Sequence, residues 1–445
     1  MDQKRLLEEL SEFLSIPSVS TLSAHDADVR RAAEWVAAEL QRLGCRSVEF
    51  LGSDVHPVVW GVGPEVPGAP TLLIYGHYDV QPPDPLGEWL TPPFEPTVRD
   101  GKIFARGAVD DKGQVFCLLK AMEACGSPPV NFRFLFEGEE EYGSAVLFDL
   151  LDREPERTEA DAVLVADMAF VAPGWPAIYA ALRGICYAEL HVRTARSDMH
   201  SGEFGGAAPN AHEALLQLLG RLKTEDGKIH VPGLYEAVRR PTRKELSAWK
   251  KLPFSERDFL KKRVGGKGLT GLKRYSVLER LWALPTFEIH GISGGFTGEG
   301  AKTVIPAEAT AKVSLRLVPD QKLKRVERQF AAAVRKHAPK YADVSVTFLH
   351  GADPAVVELD HPVFGIIDRA FREVVGRGVV PVRAGGTIPI VPALGQRGAP
   401  VVLTGVGLPD DGLHAPNEKL DLQQLWDGIE VFKRFYQLLG SDGKG

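Results

Sequence analysis

Three short apolar runs constrain this chain more than any other feature: TLLIY (71–75), VNFRFLF (130–136) and AVLVA (162–166). Each is followed, directly or after one glycine, by histidine or acid. Runs of this length, rich in β-branched and aromatic residues, read as buried strands. Helical spacing separates them. Val29, Ala32, Ala33, Val36, Leu40 and Leu43 lie on one face of a helix over 27–43, which Gly44 stops. Two more helices are expected at 112–125 and 144–151. Alternation of strand and helix predicts an α/β layer built on a mainly parallel sheet.

The pattern changes near Arg183. YAELHVRT (187–194) alternates as a half-solvated strand does. A helix over 208–222 follows, then an irregular basic stretch (223–284), an alternating strand (309–318), a helix (321–337) and a strand (344–349). This reads as a smaller α+β domain. The first pattern then returns, with a helix at 361–375, a strand at 400–404 and a helix at 420–439. The expected organisation is a catalytic α/β domain (1–181 and 353–445) interrupted by an inserted α+β lid or dimerisation domain (182–352). A length of 445 residues is too great for one ordinary core and agrees with two domains.

Composition narrows the partners. Apolar residues make up 44 % and charged residues 25 %, with a net charge of -6. That balance argues against nucleic acid or an anionic membrane as the main partner. The first residues, MDQKRLLEELSEFL, form a charged amphipathic helix without the apolar core of a signal peptide. No apolar run approaches the roughly 18 residues of a membrane span. Cys45, Cys117, Cys125 and Cys186 lack paired metal-type spacing, and Cys117 and Cys125 read as buried helix positions. The expectation is a cytoplasmic protein.

Polar clusters sit just beyond the predicted strands. His77-Tyr78-Asp79 follows the first, Glu139-Glu140-Glu141 the second and Asp167 the third; His414 lies in the loop after the strand at 400–404. Ligands of open α/β sheets bind outside the carboxyl ends of the strands, so all four clusters belong at one edge. Asp110-Asp111, at the start of the helix at 112–125, can join them. Each cluster alone has an ordinary reading: a solvated acidic run, a helix cap, a surface histidine, a core-edge histidine. Together, two histidines and several carboxylates would repel one another without a cation. Imidazole and carboxylate suit Zn²⁺, with Mn²⁺ or Co²⁺ as substitutes.

The motifs GHYDVQP (76–82), ARGAVDDKG (105–113), EGEEEYGS (137–144) and GGTIP (385–389) resemble those of the M20 metallopeptidases. The likeness runs nearly end to end and is greatest to the dipeptidase branch, through MHSGEFGG (199–206), GAKTVIP (300–306), SLRLVP (314–319) and DDGLHAPNEK (410–419). The resemblance implies two divalent metal ions per chain. His77, Asp110 and Asp167 would hold one, and Asp110, Glu141 and His414 the other. It makes Asp79 the partner that orients His77 and Glu140 the general base. His200 becomes an oxyanion donor supplied across a homodimer joined through the inserted domains. Arg316, Thr303 and the Gly385-Gly386-Thr387 loop become contacts to the substrate, and a cis peptide is expected between Asp110 and Asp111. The implied activity is hydrolysis of dipeptides with a free C-terminal carboxylate by a hydroxide shared between the metals. An N-acyl amino acid deacylase using the same site is the alternative.

Three other motifs compete. Gly291-Ile292-Ser293-Gly294-Gly295 matches a serine-hydrolase elbow, but GFTGEGAKT is a poor helix start. GEGAKT (298–303) lacks the Gly-Lys-Ser/Thr ending of a phosphate loop. His212-Glu213 lacks a second histidine, because residue 216 is leucine. A non-catalytic binding protein on a peptidase scaffold is a further rival, distinguished by loss of ligands or base.

Overall fold

The computed structural model describes residues 1–442. It contains two compact units: Met1–Ala180 with Val357–Val382 and the chain from Ile388 onward, and Ala181–Val356 with Arg383–Thr387.

The first unit is mixed α/β. Its six-stranded sheet runs in the order Ser47–Leu51, Val58–Val62, Asn131–Glu137, Thr71–His77, Ala162–Ala166, Val401–Thr404. The last four are parallel. The first two, which the sequence pattern did not register, are antiparallel additions to one side. Leu72, Leu73, Ile74, Phe134, Phe136 and Val163 to Val165 are all buried, as strands covered on both faces require.

Helix Lys112–Cys125 lies where the sequence places it and is buried on nearly every face over its first eleven residues. Helix Leu422–Asp442 and strand Thr71–His77 both pack on it. Close approach at the strand end needs a residue without a side chain. A Cβ on Gly76 would lie 2.6 Å from Val115 Cγ2 and 2.9 Å from Asp111 Oδ2. The Lys112 ammonium, also buried, donates to the carbonyls of Phe13 (3.1 Å) and Ile16 (2.6 Å). It thereby satisfies acceptors at the end of helix Gln3–Leu14.

The second unit carries an antiparallel sheet ordered Thr286–Gly294, Glu308–Leu317, Gly184–Arg193, Asp343–Ala352. Cys186, Ala188, Leu190 and Val192 alternate along one strand and enter a core with helices Ala211–Leu222 and Leu323–His337. The strand at Thr286–Gly294 corrects the sequence reading: the GISGG segment largely belongs to it. A bulge between Ile289 and Gly291 breaks the alternation that would have revealed it. Among the described residues the next helix after Ser293 begins only at Leu323, so the serine-hydrolase motif lacks its context. The stretch 223–284 is not wholly irregular either. Helices Arg243–Trp249 and Val277–Trp282 each begin with a capping box, Thr242/Glu245 and Ser276/Glu279.

No helix among the described residues is long and apolar enough to cross a membrane. All four cysteines are free, with Cys117 buried and Cys125 only partly so.

Candidate metal centre

The parallel strands deliver their polar ends to one edge. His77 and Glu137 are the last residues of neighbouring strands and stand side by side in register. Asp167 directly follows strand Ala162–Ala166. The chain after Glu137 turns through Gly138, where a Cβ would lie 2.5 Å from the Tyr78 ring, and presents the three glutamates. The Asp110–Asp111 peptide bond is cis.

Two sets of side chains result. Ligand atoms of His77, Asp110 and Asp167 lie within 4.8 Å of one another, and so do those of Asp110, Glu141 and His414. Asp110 belongs to both. Its Oδ1 is 3.2 Å from His77 Nε2, and its Oδ2 is 2.9 Å from His414 Nε2. His414 Nε2 is also 3.3 Å from Glu141 Oε1.

Asp79 links these groups from behind. Its backbone carbonyl lies 3.1 Å from His77 Nδ1, and its Oδ1 lies 3.3 Å from the same nitrogen and accepts the Glu140 N–H at 3.3 Å. Its Oδ2 accepts the Glu141 N–H at 3.1 Å and the Ser20 hydroxyl at 2.6 Å. One buried aspartate therefore holds a histidine ring, through its carbonyl and carboxylate, and the backbone of two glutamates through the carboxylate.

The ordinary readings fare poorly here. Glu139 is only 6 % exposed and its Oε2 accepts the Val146 N–H at 2.8 Å, so it braces helix Ala145–Arg153 instead of facing solvent. Asp111 stands at the N-cap of helix Lys112–Cys125, yet its side chain makes no cap bond. Its Oδ2 accepts the His77 N–H at 3.2 Å instead.

The electrostatics test whether a cation fits. Burial opposes charge on His77, but Asp110 and Asp79 outweigh it and hold the imidazole well above its ordinary pKa. Hydrogen bonds donated to Asp110 and Glu141 push His414 up to about 10. Burial pushes Asp167 well above the carboxylate range, with Asp111 and Asp110 adding to it. Burial pushes Glu140 up as well, with Glu141 and Asp167 adding against the opposing His77. Burial would also raise Asp110, but His414 and His77 leave it lowered. These shifts mark negative charge packed into a buried space without a compensating cation. Divalent cations neutralise the same charge without protons, and imidazole nitrogen with carboxylate oxygen suits Zn²⁺, Mn²⁺ or Co²⁺. The residues fit such ions.

The second unit holds the remaining candidates. Arg316 Nη1 donates to Thr387 Oγ1 at 3.0 Å, and Thr387 Oγ1 donates to the Arg183 carbonyl. Arg183 donates its backbone N–H to Gly386 O and its Nε–H to Gly385 O, each at 3.1 Å. Its Nη1 is buried without a partner, and burial, with Arg316 adding, pushes its pKa down to about 10. His200 pairs with Val304 in a two-stranded ladder, and the next N–H, of Ser201, reaches Thr303 O at 3.1 Å. The exposed His200 accepts the Gly202 N–H at Nδ1 (3.0 Å), which places the proton of the neutral ring on Nε2.

Sequence reasoning passed over several supporting groups. Gln81 donates to Glu141 Oε2 at 2.7 Å. Ser20, Arg106, Arg183 and Glu418 are buried polar residues beside the candidates. Gln81, Arg106 and Glu418 stood inside quoted motifs, which was the available signal; Ser20 and Arg183 carried none.

Known proteins of similar sequence and fold place the chain in a family. The model of "Peptidase family M20/M25/M40" matches residues 73–438. The Cys-Gly metallodipeptidase dug1 of Schizosaccharomyces pombe is 34 % identical, covering 99 % of this chain and 97 % of that one. The crystal structure of human carnosine dipeptidase 1 superposes with a TM-score of 0.85 at 32 % identity, covering 99 % and 96 % of the two chains. An M20 family metallo-carboxypeptidase, Sso-CP2 from Sulfolobus solfataricus, gives a TM-score of 0.86 at 30 % identity, covering 99 % and 100 %. With the family model spanning most of the sequence and these relatives aligned nearly end to end, the chain belongs to peptidase family M20/M25/M40.

Proposed function

We propose that this protein is a metal-dependent dipeptidase that hydrolyses the amide bond of dipeptides bearing a free C-terminal carboxylate. The observation that carries the reading is the pair of three-residue sets sharing Asp110. In it, His77, Asp110 and Asp167 hold one divalent ion, Zn²⁺ before Mn²⁺ or Co²⁺, and Asp110, Glu141 and His414 hold a second. Bound there, the ions supply Lewis acidity toward the scissile carbonyl and toward a water molecule.

The protein's own groups do the rest. Glu140, whose neighbour supplies a ligand, accepts the proton of the attacking water and returns it to the leaving amine. Burial raises its pKa most, and Glu141 and Asp167 add to it; cations at those two acids would remove the added part. Asp79 keeps the proton of His77 on Nδ1 and the lone pair on Nε2. His200, with its proton on Nε2, serves as a hydrogen-bond donor to the developing oxyanion. Arg316 takes the substrate's carboxylate, with Thr303 and the Gly385-Gly386-Thr387 segment as further contacts. The tie between Arg316 and Thr387 supports a shared role.

The second unit serves as lid and dimerisation domain in this reading. Edge strand Thr286–Gly294 exposes Ile289 and Ile292, as expected of a strand that pairs with a second copy. The four free thiols suit a reducing cytoplasm.

The test is metal analysis followed by a matched panel of dipeptides and N-acyl amino acids. Two ions per chain with dipeptides turned over preferentially is the expected result. No more than one ion under saturating, chelator-free conditions refutes the two-metal site. Faster turnover of N-acyl amino acids replaces the dipeptidase with a deacylase.

A further inference from the structure

Four residues after His414, Glu418 is completely buried, and its partner Arg106 is only 1 % exposed. The acid is not spent on an ion pair alone. Its Oε2 accepts from Arg106 Nη1 at 2.6 Å and from the Gly107 N–H at 3.1 Å. Its Oε1 accepts the N–H groups of Val109 at 2.9 Å and of Asp110 at 3.1 Å. Charge-assisted bonds of this kind are the strong ones, and here two of them fix consecutive peptide planes. One of those planes carries the side chain common to both ligand sets.

The other end of Glu418 is anchored equally well. The Ala105 N–H donates to the Glu418 carbonyl at 3.1 Å. Lys419 Nζ reaches Asp411 Oδ1 at 2.5 Å, and Asp411 Oδ2 accepts the Leu408 N–H at 2.6 Å. Asn417 accepts the Leu90 N–H and donates to Glu88 O, both at 2.8 Å. The loop that displays His414, itself at φ 58°, is therefore pinned on both sides of the histidine. Arg106 extends the tie, since its Nη2 donates to the carbonyl of Pro82, which closes the segment begun by His77.

We propose that Glu418 is a positioning residue for the metal centre: its carboxylate sets the distance between Asp110 and His414, and through Arg106 it holds the His77 segment in the same frame. The inference rests on the metal-dependent function above. An ordinary fold-stabilising ion pair needs no acceptor aimed at the two amides preceding the Asp110 side chain. It also needs no attachment to the loop that supplies a second ligand.

The experiment titrates metal-free wild type, Glu418→Gln and Glu418→Asp with Zn²⁺ against a competing chelator, at a temperature where circular dichroism shows each metal-free chain folded. The glutamine amide turns donors toward Gly107 N–H and Arg106. The aspartate keeps the charge pair but withdraws its oxygens from Val109 and Asp110. Both variants are expected to lose about 10–100-fold in affinity, the usual effect of removing a group that orients ligands. Both ions should be affected, because Asp110 is common to the two sets. A purely structural role would lower the melting temperature of the metal-free chain and leave the affinities of the folded protein unchanged, and that result overturns the proposal. If Glu418→Gln fails to fold because Arg106 is left buried without its anion, Glu418→Asp decides. A wild-type chain that binds no Zn²⁺ instead removes the metal-dependent function itself, a separate and recognisable failure.

Discussion

Replacing Asp79 by Asn tests how the site selects the ligand nitrogen of His77. The carboxylate has four neighbours: His77 Nδ1 and Glu140 N on one oxygen, Ser20 Oγ and Glu141 N on the other. An asparagine keeps one acceptor oxygen. If that oxygen serves Ser20 and Glu141, the amide NH₂ faces His77 Nδ1, which then accepts. The amide then competes with the residue 79 carbonyl, which lies 3.1 Å from the same Nδ1 and favours the proton there; where the amide prevails, the ring proton moves to Nε2, where the ligand lone pair is needed, 3.2 Å from Asp110 Oδ1. The alternative orientation leaves the NH₂ against the Glu141 N–H. A hydrogen bond to a charged group contributes about 1.5–3 kcal/mol, which corresponds to roughly 10–150-fold in affinity. The loss should fall first on the set made by His77, Asp110 and Asp167. Competitive chelator titration resolves the two affinities, and activity at saturating metal should recover in part. Two affinities equal to wild type, or a loss confined to the set containing His414, would refute the reasoning.

Glu140→Gln should keep both ions and lower kcat by at least about 10²-fold, the scale of a lost general base, whereas Glu141→Gln should weaken metal binding. An exchange of these behaviours in metal analysis and kinetics places the glutamates one residue out of register. Metal binding should release protons at pH 7, because the imidazole of His414, raised to about 10 by Asp110 and Glu141, must give one up to become a ligand. Affinity should therefore rise with pH, and calorimetry in two buffers of different ionisation enthalpy reads the released protons; zero release contradicts the assignment. Mixing His200→Ala and Glu140→Ala chains under subunit exchange should restore about a quarter of wild-type activity if His200 serves the neighbouring chain of a C₂ dimer. No recovery after proven exchange, or a monomer by sedimentation, ends that idea.

Much of the first unit was legible because its signals are local. The TLLIY run and the helix over 112–125 recur in the structure nearly residue for residue, since long apolar stretches leave a buried chain few options. The strands Ser47–Leu51 and Val58–Val62 went unseen because Ser47 and Glu49 break up SVEFL and Gly61 interrupts VVWGV, so neither stands out as TLLIY and AVLVA do. The helices within 223–284 were marked only by their capping boxes, easily lost among the basic residues. Within the site, histidines and acids at strand ends stand out, so all the ligand candidates could be named. Ser20 and Glu418 could not be assigned their contacts, because a serine on Asp79 and a glutamate on Val109 are facts of tertiary contact. The helix-cap reading of Asp110-Asp111 failed for the same reason: local sequence offered a backbone partner, while folding supplied His77, His414 and a neighbouring strand end.

The parallel sheet has a consequence for biosynthesis. Its first three parallel strands, with His77, Asp110, Glu141 and Asp167, leave the ribosome early. The edge strand Val401–Thr404 and His414 come some 250 residues later, after the whole second unit. At about 5–20 residues per second, that interval is on the order of 10–50 s. During it, the nascent chain presents the complete ligand set of His77, Asp110 and Asp167 beside an open sheet edge next to Ala162–Ala166. A chain released before residue 401 stays in that condition: it carries one set of ligands, an uncovered strand, and no His414 to complete the other set.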